Sequence, residues 1–239
     1  MLRLENISWS VPERSDILRN INLSIPDRKL TVVTGPNGGG KTSLAKAIAG
    51  LLPNVQGKIY LNNQDISNLD VTQRARLGIS YAFQQPVRFK GIKVKNLLNI
   101  AAGKELSFDE LCDLLGKVGL CTVDYVDREV GASLSGGEIK RIEIASVLAR
   151  GTELNIFDEP EAGIDIWSFN GLVSVFKKLK GEASLLVISH QQRILEIADD
   201  IIVIADGAIR THGPKDEVLP QLLEGEITGH CPVGSSAAV

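Results

Sequence analysis

One stretch near the N-terminal end carries the clearest chemistry. Gly35-Pro36-Asn37-Gly38-Gly39-Gly40-Lys41-Thr42 has the spacing G-x-x-x-x-G-K-[ST], the pattern of a loop that cradles phosphates. Its glycines let the backbone coil tightly enough for successive N–H groups to point at phosphate oxygens. The start of a following helix adds unpaired donors and a favourable dipole. Lys41 is expected to bridge β- and γ-phosphates, and Thr42 to ligate Mg²⁺ through its hydroxyl, with Ser43 beside them. The predicted nucleotide-binding set is therefore Gly35, Pro36, Asn37, Gly38, Gly39, Gly40, Lys41, Thr42 and Ser43.

A second group of candidates is acidic. Leu154-Asn155-Ile156-Phe157-Asp158-Glu159 reads as an apolar strand ending in two carboxylates. Ligands of open α/β sheets sit beyond the C-terminal ends of strands. Asp158 is expected to face the magnesium, through a water. Glu159, one residue on, is placed to polarise an attacking water near the γ-phosphate. Gln84, after a strand at 79–83, can offer an amide oxygen to the metal or its water.

A third group repeats the first in miniature. Leu134-Ser135-Gly136-Gly137-Glu138 precedes a helix containing Ile139, Ile142, Ile144 and Leu148. Its exposed first-turn amides suit another anion. Ser135 and Glu138 also have the spacing of a capping box, worth about 1 kcal/mol. One nucleotide needs one phosphate loop. A second cradle makes sense if it faces the nucleotide of another copy of the chain.

The elements that must position these residues alternate. Apolar strands are predicted at 30–34, 57–61, 79–83, 154–157, 184–188 and 201–204, and helices at about 42–51, 137–149, 166–180 and 190–199. Strands this apolar are covered on both faces, as in a parallel α/β sheet. The first ~30 residues and 57–66 read as a small antiparallel sheet. Residues 92–149 show little strand character and read as a helical insertion. The 239 residues are 44% hydrophobic and 23% charged, an ordinary globular mix able to bury a core unaided. Lys+Arg 26 against Asp+Glu 29 gives −3, which argues against nucleic acid as the partner. No apolar run approaches the ~20 residues of a bilayer span, so direct membrane insertion is not expected. Three scattered cysteines, Cys112, Cys121 and Cys231, form no metal or disulfide pattern and fit a cytoplasmic location. Cys112 and Cys121 are expected to be buried or incidental, and Cys231, in a loose tail, is the candidate for an exposed thiol.

Taken together these motifs resemble the ABC ATPases. Leu134 to Glu138 is similar to that family's LSGGQ signature. The order also matches: phosphate loop, Gln84, signature, Asp158-Glu159, Ala162-Gly163-Ile164-Asp165 (resembling the D-loop) and Ser189-His190 (resembling the switch histidine). The resemblance implies a P-loop NTPase fold of the ABC type, α/β with a small antiparallel subdomain and an inserted helical subdomain. The implied layout is one domain over 1–239, with a RecA-like core and antiparallel part at about 1–91 and 150–223, a helical subdomain at about 92–149 and a tail at 224–239. It implies ATP hydrolysis with Mg²⁺ and a transient, ATP-dependent homodimer. Each γ-phosphate would be held by Lys41 and His190 of one copy and by Ser135, Gly136 and Gly137 of the other. Asp165 would link the two sites. Glu159, His190 and Lys41 are the implied catalytic residues, and Thr42, Gln84 and Asp158 the implied metal ligands.

Within that family, three patches resemble SufC, the ATPase of the SUF iron–sulfur assembly system. They are Phe83-Gln84-Gln85-Pro86-Val87 followed by Gly91-Ile92, Ser135-Gly136-Gly137-Glu138 followed by Lys140-Arg141, and His190-Gln191-Gln192-Arg193-Ile194-Leu195. They imply a SufB/SufD-like scaffold as partner, docking on the helical insertion and on Gln85 to Ile92. The alternative is the ATP-binding subunit of a membrane transporter, gripping its partner by the same surface. A DNA-associated ABC ATPase is set aside, because the segment between Gln84 and Ser135 has no room for long coiled-coil arms. Pro160 and the acid at Glu161 depart from the SufC pattern. Val11 occupies the position where many relatives stack adenine on an aromatic ring, and Trp9 is expected in the core. Modest ATP affinity and comparable turnover of ATP and GTP are expected.

Overall fold

The computed structural model describes residues 1–12, 14–85, 89, 91–131 and 134–225. The carrying element is a six-stranded sheet of order β10-β9-β3-β8-β7-β6. It comprises β3 (Leu30–Thr34), β6 (Ile79–Ala82), β7 (Leu154–Asp158), β8 (Ser184–Ile188), β9 (Asp200–Ala205) and β10 (Ala208–Pro214). All are parallel except β10, which pairs antiparallel with β9 at the edge. A separate antiparallel sheet of order β2-β1-β4-β5 is built from β1 (Leu2–Val11), β2 (Arg14–Ile25), β4 (Gln56–Leu61) and β5 (Gln64–Asp65). The helices are α1 (Lys41–Ala49), α2 (Val71–Arg76), α3 (Val94–Ala102), α4 (Phe108–Lys117), α5 (Thr122–Tyr125), α6 (Gly136–Ala149), α7 (Ile166–Leu179), α8 (Gln192–Ile197) and α9 (Lys215–Leu223).

The apolar runs of the central strands divide their side chains between two cores. On β8, Leu185 and Val187 enter one cluster with residues of α3, α4, α6 and α7. Leu186 and Ile188 enter the other, with α1 and the antiparallel sheet. Period-two alternation across a sheet buried on both sides explains why β3, β7 and β8 are buried at every position. The helical insertion is α3 to α6, as expected. The expected helix at 190–199 is shorter, Gln192–Ile197, because Ser189 to Gln191 form the loop that leaves β8. Trp9 is half-buried against the second core and not enclosed by it. Its indole N–H reaches the Pro53 carbonyl at 2.9 Å.

Strand register decides where functional groups emerge. Val33 of β3 and Asp158 of β7 both lie opposite Ile188 of β8, and Ala82 of β6 lies opposite Phe157. The loops after β3, β6, β7 and β8 therefore leave the sheet at one level and on one edge.

One buried side chain secures the helix behind the phosphate loop. Arg74 of α2 donates to the Ala47 and Ile48 carbonyls of α1 at 2.7 and 2.9 Å, and also to Leu69 and Ser67 carbonyls. It closes the C-terminal end of α1, where backbone carbonyls lack helical partners. Replacing Arg74 by Met should strand those buried carbonyls and lower the unfolding free energy by about 3 kcal/mol, read from urea denaturation.

Candidate active site

The phosphate loop follows β3 without a break. Gly35 has φ 130°, and a Cβ there would lie 2.0 Å from the Ile204 carbonyl oxygen. Gly40, the N-cap of α1, has φ 107°, and a Cβ would lie 2.8 Å from the Ile17 carbonyl oxygen. Both positions demand glycine on sterics as well as on dihedral. No side chain caps α1, so its first-turn amides are offered to an anion. Lys41 is buried, and its Nζ donates to the carbonyls of Gly35 and Pro36 at 2.8 Å each. Burial lowers its pKa, against the opposing pull of Glu159 and Asp158.

The turn between β9 and β10 braces this loop. Gly207 donates to the Gly39 carbonyl at 2.9 Å and accepts from Arg19 N–H at 2.7 Å. The sequence reading passed over this brace. Its signal was present in Asp206-Gly207, a hairpin dipeptide directly after an apolar strand.

The two acidic residues lie in different surroundings. Asp158 is buried at the end of β7. Its Oδ1 accepts the Thr42 hydroxyl at 3.0 Å and its Oδ2 accepts the Tyr81 hydroxyl at 2.7 Å. Glu159 turns out of the strand with φ 46°, a left-handed conformation that few side chains adopt. Its N–H donates to the Ile188 carbonyl at 3.0 Å. Its Oε2 accepts from the Gln84 amide nitrogen at 2.6 Å. Gln84 therefore meets the second carboxylate directly, and its amide oxygen is the atom left to serve a metal.

His190 follows β8 and stands at the surface. Partial burial and the Lys41 ammonium lower its pKa, with Glu159 acting in the opposite sense. Lys41, Glu159 and His190 thus feel one another's charge. Glu161 lies behind them. Its Oε1 accepts the Ser189 hydroxyl, while its Oε2 is buried with no hydrogen-bond partner. Burial raises its pKa, opposed by the Ser189 contact. Ser189 Oγ in turn accepts from Gln191 N–H at 3.0 Å. Glu161 so ties the turn after β7 to the loop carrying His190.

The signature turn forms the capping box anticipated for it. Ser135 Oγ accepts from Glu138 N–H at 3.2 Å, and Glu138 Oε2 accepts from Ser135 N–H at 2.6 Å. The other Glu138 oxygen accepts the Tyr125 hydroxyl. Ser135 and Gly136 are exposed and Gly137 is buried. Gly136 borders the Gly163 carbonyl, to which a Cβ would approach within 3.6 Å. Asp165 is exposed at the start of α7, its carbonyl accepting from Phe169 N–H at 2.9 Å.

One turn into α6 lies a side chain that sequence reasoning missed. Lys140 is fully buried. It pairs with Glu143 at 3.0 Å and donates to the carbonyls of Phe83 and Gln84. Glu143 Oε1 accepts from Phe83 N–H at 3.0 Å. The backbone N–H and C=O of Phe83, the residue just before Gln84, are thus both held by the helix that begins with the signature. A buried lysine is costly unless paired; Glu143 is its neighbour on the same helix, and the Phe83 and Gln84 carbonyls reach it from far along the chain. Two expectations about cysteines are corrected or untested: Cys121 is exposed at the start of α5, and Cys231 lies outside the described residues, while Cys112 is half-buried. Parts of the proposed docking loop, Pro86, Val87, Arg88 and Lys90, also lie outside them. Among the described residues no helix is long and apolar enough to cross a membrane.

A parallel sheet with a phosphate loop, a buried carboxylate at the neighbouring strand end and a second glycine-tipped helix on an inserted subdomain defines a P-loop ATPase of the cassette type. Comparison with known proteins agrees. The family model described as "ABC transporter" matches residues 18–162. An uncharacterized ABC transporter ATP-binding protein of Methanocaldococcus jannaschii is 40% identical over 212 residues, 85% of each chain. A solved ATP-binding cassette of an ABC transporter in its ADP conformation superposes with TM-score 0.80 at 27% identity, covering 95% of this chain and 96% of that one. A dimeric, post-hydrolysis cassette bound to ADP and Pi gives TM-score 0.79 at 24% identity, covering 90% and 99%. The chain belongs to the ABC ATPase family, and it is an ATP-binding enzyme that hydrolyses ATP.

The raised pKa of Glu161 has a signed consequence. The unfolded chain gives up this proton at the ordinary carboxylate value, before the folded chain does. Stability therefore falls as pH rises past that value. Glu161→Gln removes the titration, so its melting temperature relative to the parent should climb as pH rises past the ordinary carboxylate value and level off once the folded carboxyl has ionised. A difference that stays flat with pH would contradict this account.

Proposed function

We propose that the ATPase acts as a nucleotide-bridged pair. Lys41 and His190 of one copy hold the γ-phosphate together with Ser135, Gly136 and Gly137 of the other, and Asp165 spans the joint. Glu159 is the base that takes the proton of the attacking water, oriented by Gln84. The phosphate loop, Gly35 to Ser43, holds the ATP phosphates. The observation that carries this reading is the exposed start of α6. It repeats the anion-binding chemistry of α1 although α1 already serves a nucleotide within its own chain. A dimeric cassette of the same fold supports it.

Mg²⁺ suits the same edge. The Thr42 hydroxyl and Asp158 carboxylate are hard oxygen donors 3.0 Å apart, with the Gln84 amide oxygen as a third. The ion supplies charge neutralisation of the phosphates when bound. The remaining chemistry belongs to Lys41, Glu159 and His190.

The work is done on a partner. An apolar cleft of about 280 Å³ opens between the sheet edge and the helical part, lined by Val71, Tyr81, Phe83, Leu97 and Ile100 among others. Ile100 is 69% exposed there. An apolar segment of a partner fits this cleft, which adjoins the Gln84 loop. The patches resembling SufC support a SufB/SufD-like scaffold for iron–sulfur cluster assembly as that partner, at a cytoplasmic location. A second reading, the ATP-binding subunit of an ABC membrane transporter, is supported by the naming of the archaeal relative. Co-expression distinguishes them. Capture of a SufB-like scaffold, abolished by Ile100→Glu without loss of basal ATPase, supports the first reading, and capture of an integral membrane protein the second.

Two outcomes test the pair itself. Glu159→Gln should cut turnover by at least about 100-fold while leaving ATP binding intact, and should shift the chain from monomer to dimer in light scattering when ATP is added. Persistence of the monomer, or a trapped structure with Ser135 away from both triphosphates, would refute the shared site. Because half-buried Val11 offers no stacking ring, ATP and GTP should be turned over at rates within about threefold of each other, measured by phosphate release.

A further inference from the structure

Tyr81 belongs to none of the family motifs, yet it is the only side chain among the described residues seen to touch both the metal-side carboxylate and the cleft. Its hydroxyl donates to Asp158 Oδ2 at 2.7 Å. Its ring packs edge-on to Phe83, with centroids 4.9 Å apart at 62°, and lines the apolar cleft. Phe83 is in turn the residue whose backbone N–H and C=O are held by Glu143 and Lys140. The ring is therefore fixed from the α6 side while its hydroxyl reaches across β6 to β7.

The chemistry of the pair is specific. Asp158 is almost wholly enclosed, so each oxygen needs a donor. Thr42 supplies one. Thr42 is also the residue expected at the metal, so its hydroxyl is shared between two tasks. The phenol has one task. A phenol is uncharged near neutral pH, so it donates without adding a positive charge beside the carboxylate. A neutral donor on Oδ2 steadies the carboxylate without cancelling the negative charge that attracts a cation. A Lys or Arg in its place would do the first and undo the second.

We infer that Tyr81 is a positioning residue for the divalent cation: its hydroxyl locks Asp158 in one orientation, so that Oδ1 and the Thr42 hydroxyl present a preset pair of oxygens. The inference rests on Mg²⁺ binding at Thr42 and Asp158. It also makes Tyr81 the shortest route by which pressure on the cleft reaches the metal side, since a shift of the ring moves the hydroxyl that holds Asp158.

The test compares the parent protein with Tyr81→Phe, which keeps the ring, and Tyr81→Leu, which removes it. The readouts are Mn²⁺ affinity of the ADP complex by electron paramagnetic resonance, ADP affinity in EDTA by calorimetry, and the Mg²⁺ concentration for half-maximal ATP turnover. Both variants should bind Mn²⁺ about tenfold more weakly and need about tenfold more Mg²⁺, the order expected for losing a charge-assisted hydrogen bond. ADP affinity in EDTA should stay within about twofold. If Tyr81→Phe matches the parent in both metal readouts, the ring acts only by packing and the inference fails, whatever Tyr81→Leu does. A parent whose turnover needs no divalent cation would instead overturn the metal reading itself. A measurement without any change at position 81 guards against a variant that does not fold. The chain has three tyrosines, so 3-fluorotyrosine labelling gives three resonances, assigned with Tyr60→Phe and Tyr125→Phe. Mn²⁺·ADP should broaden the Tyr81 resonance beyond detection. A Tyr81 resonance that stays sharp would sink the proposal.

Discussion

The site is organised around one enclosed negative charge. A carboxylate taken out of water is tolerated only when donors reach it, and the donors of Asp158 come from two other elements, Thr42 at the head of α1 and Tyr81 on β6. Satisfying this group therefore requires the phosphate loop, the acidic strand and the strand before Gln84 to be in register at the same time. The requirement fixes more than one residue's position. With β7 held between β6 and β8, Glu159 emerges within reach of Gln84 on one side and of the His190 loop on the other. Catalytic geometry thus follows from satisfying a buried group, and the rest of the edge inherits its precision from that constraint.

How much of this could be read beforehand follows from where the determining contacts lie. The strands β3, β7 and β8 were legible because a sheet buried on both faces leaves an unbroken apolar run. The phosphate loop was legible because its pattern is one contiguous run of eight residues, although the carbonyls that crowd Gly35 and Gly40 come from Ile204 and Ile17, far along the chain. The Ser135–Glu138 box was legible because a cap is a four-residue object. Tyr81, Lys140 and Arg74 were not, since each is defined by partners far along the chain, and a tyrosine in a strand or a lysine in a helix announces nothing. Cys121 runs the other way: the general tendency of free cysteine toward burial gives way to its position at an exposed helix start.

The two glycine-tipped helices are alike in sequence and different in finish. Gly40 leaves the first amides of α1 without a side-chain cap, so that end is prepared for an anion from the outset. The start of α6 is closed by Ser135 and Glu138, with Tyr125 steadying the carboxylate from behind. A phosphate that recruits the Ser135 hydroxyl must compete with a cap of about 1 kcal/mol. The second cradle is consequently the weaker of the two, which suits the reversible contact proposed for it.

Glu159 sets folding and chemistry at odds. Its backbone has a left-handed φ that glycine or asparagine would adopt with about 1 kcal/mol less strain, against which stands the hydrogen bond its carboxylate accepts from Gln84. A population screened only for yield, heat tolerance or correct folding would weigh that strain against one surface hydrogen bond. In the role proposed for it, the carboxylate is kept by selection for turnover. Intact, well-folded copies of this chain are therefore no evidence that the enzyme works.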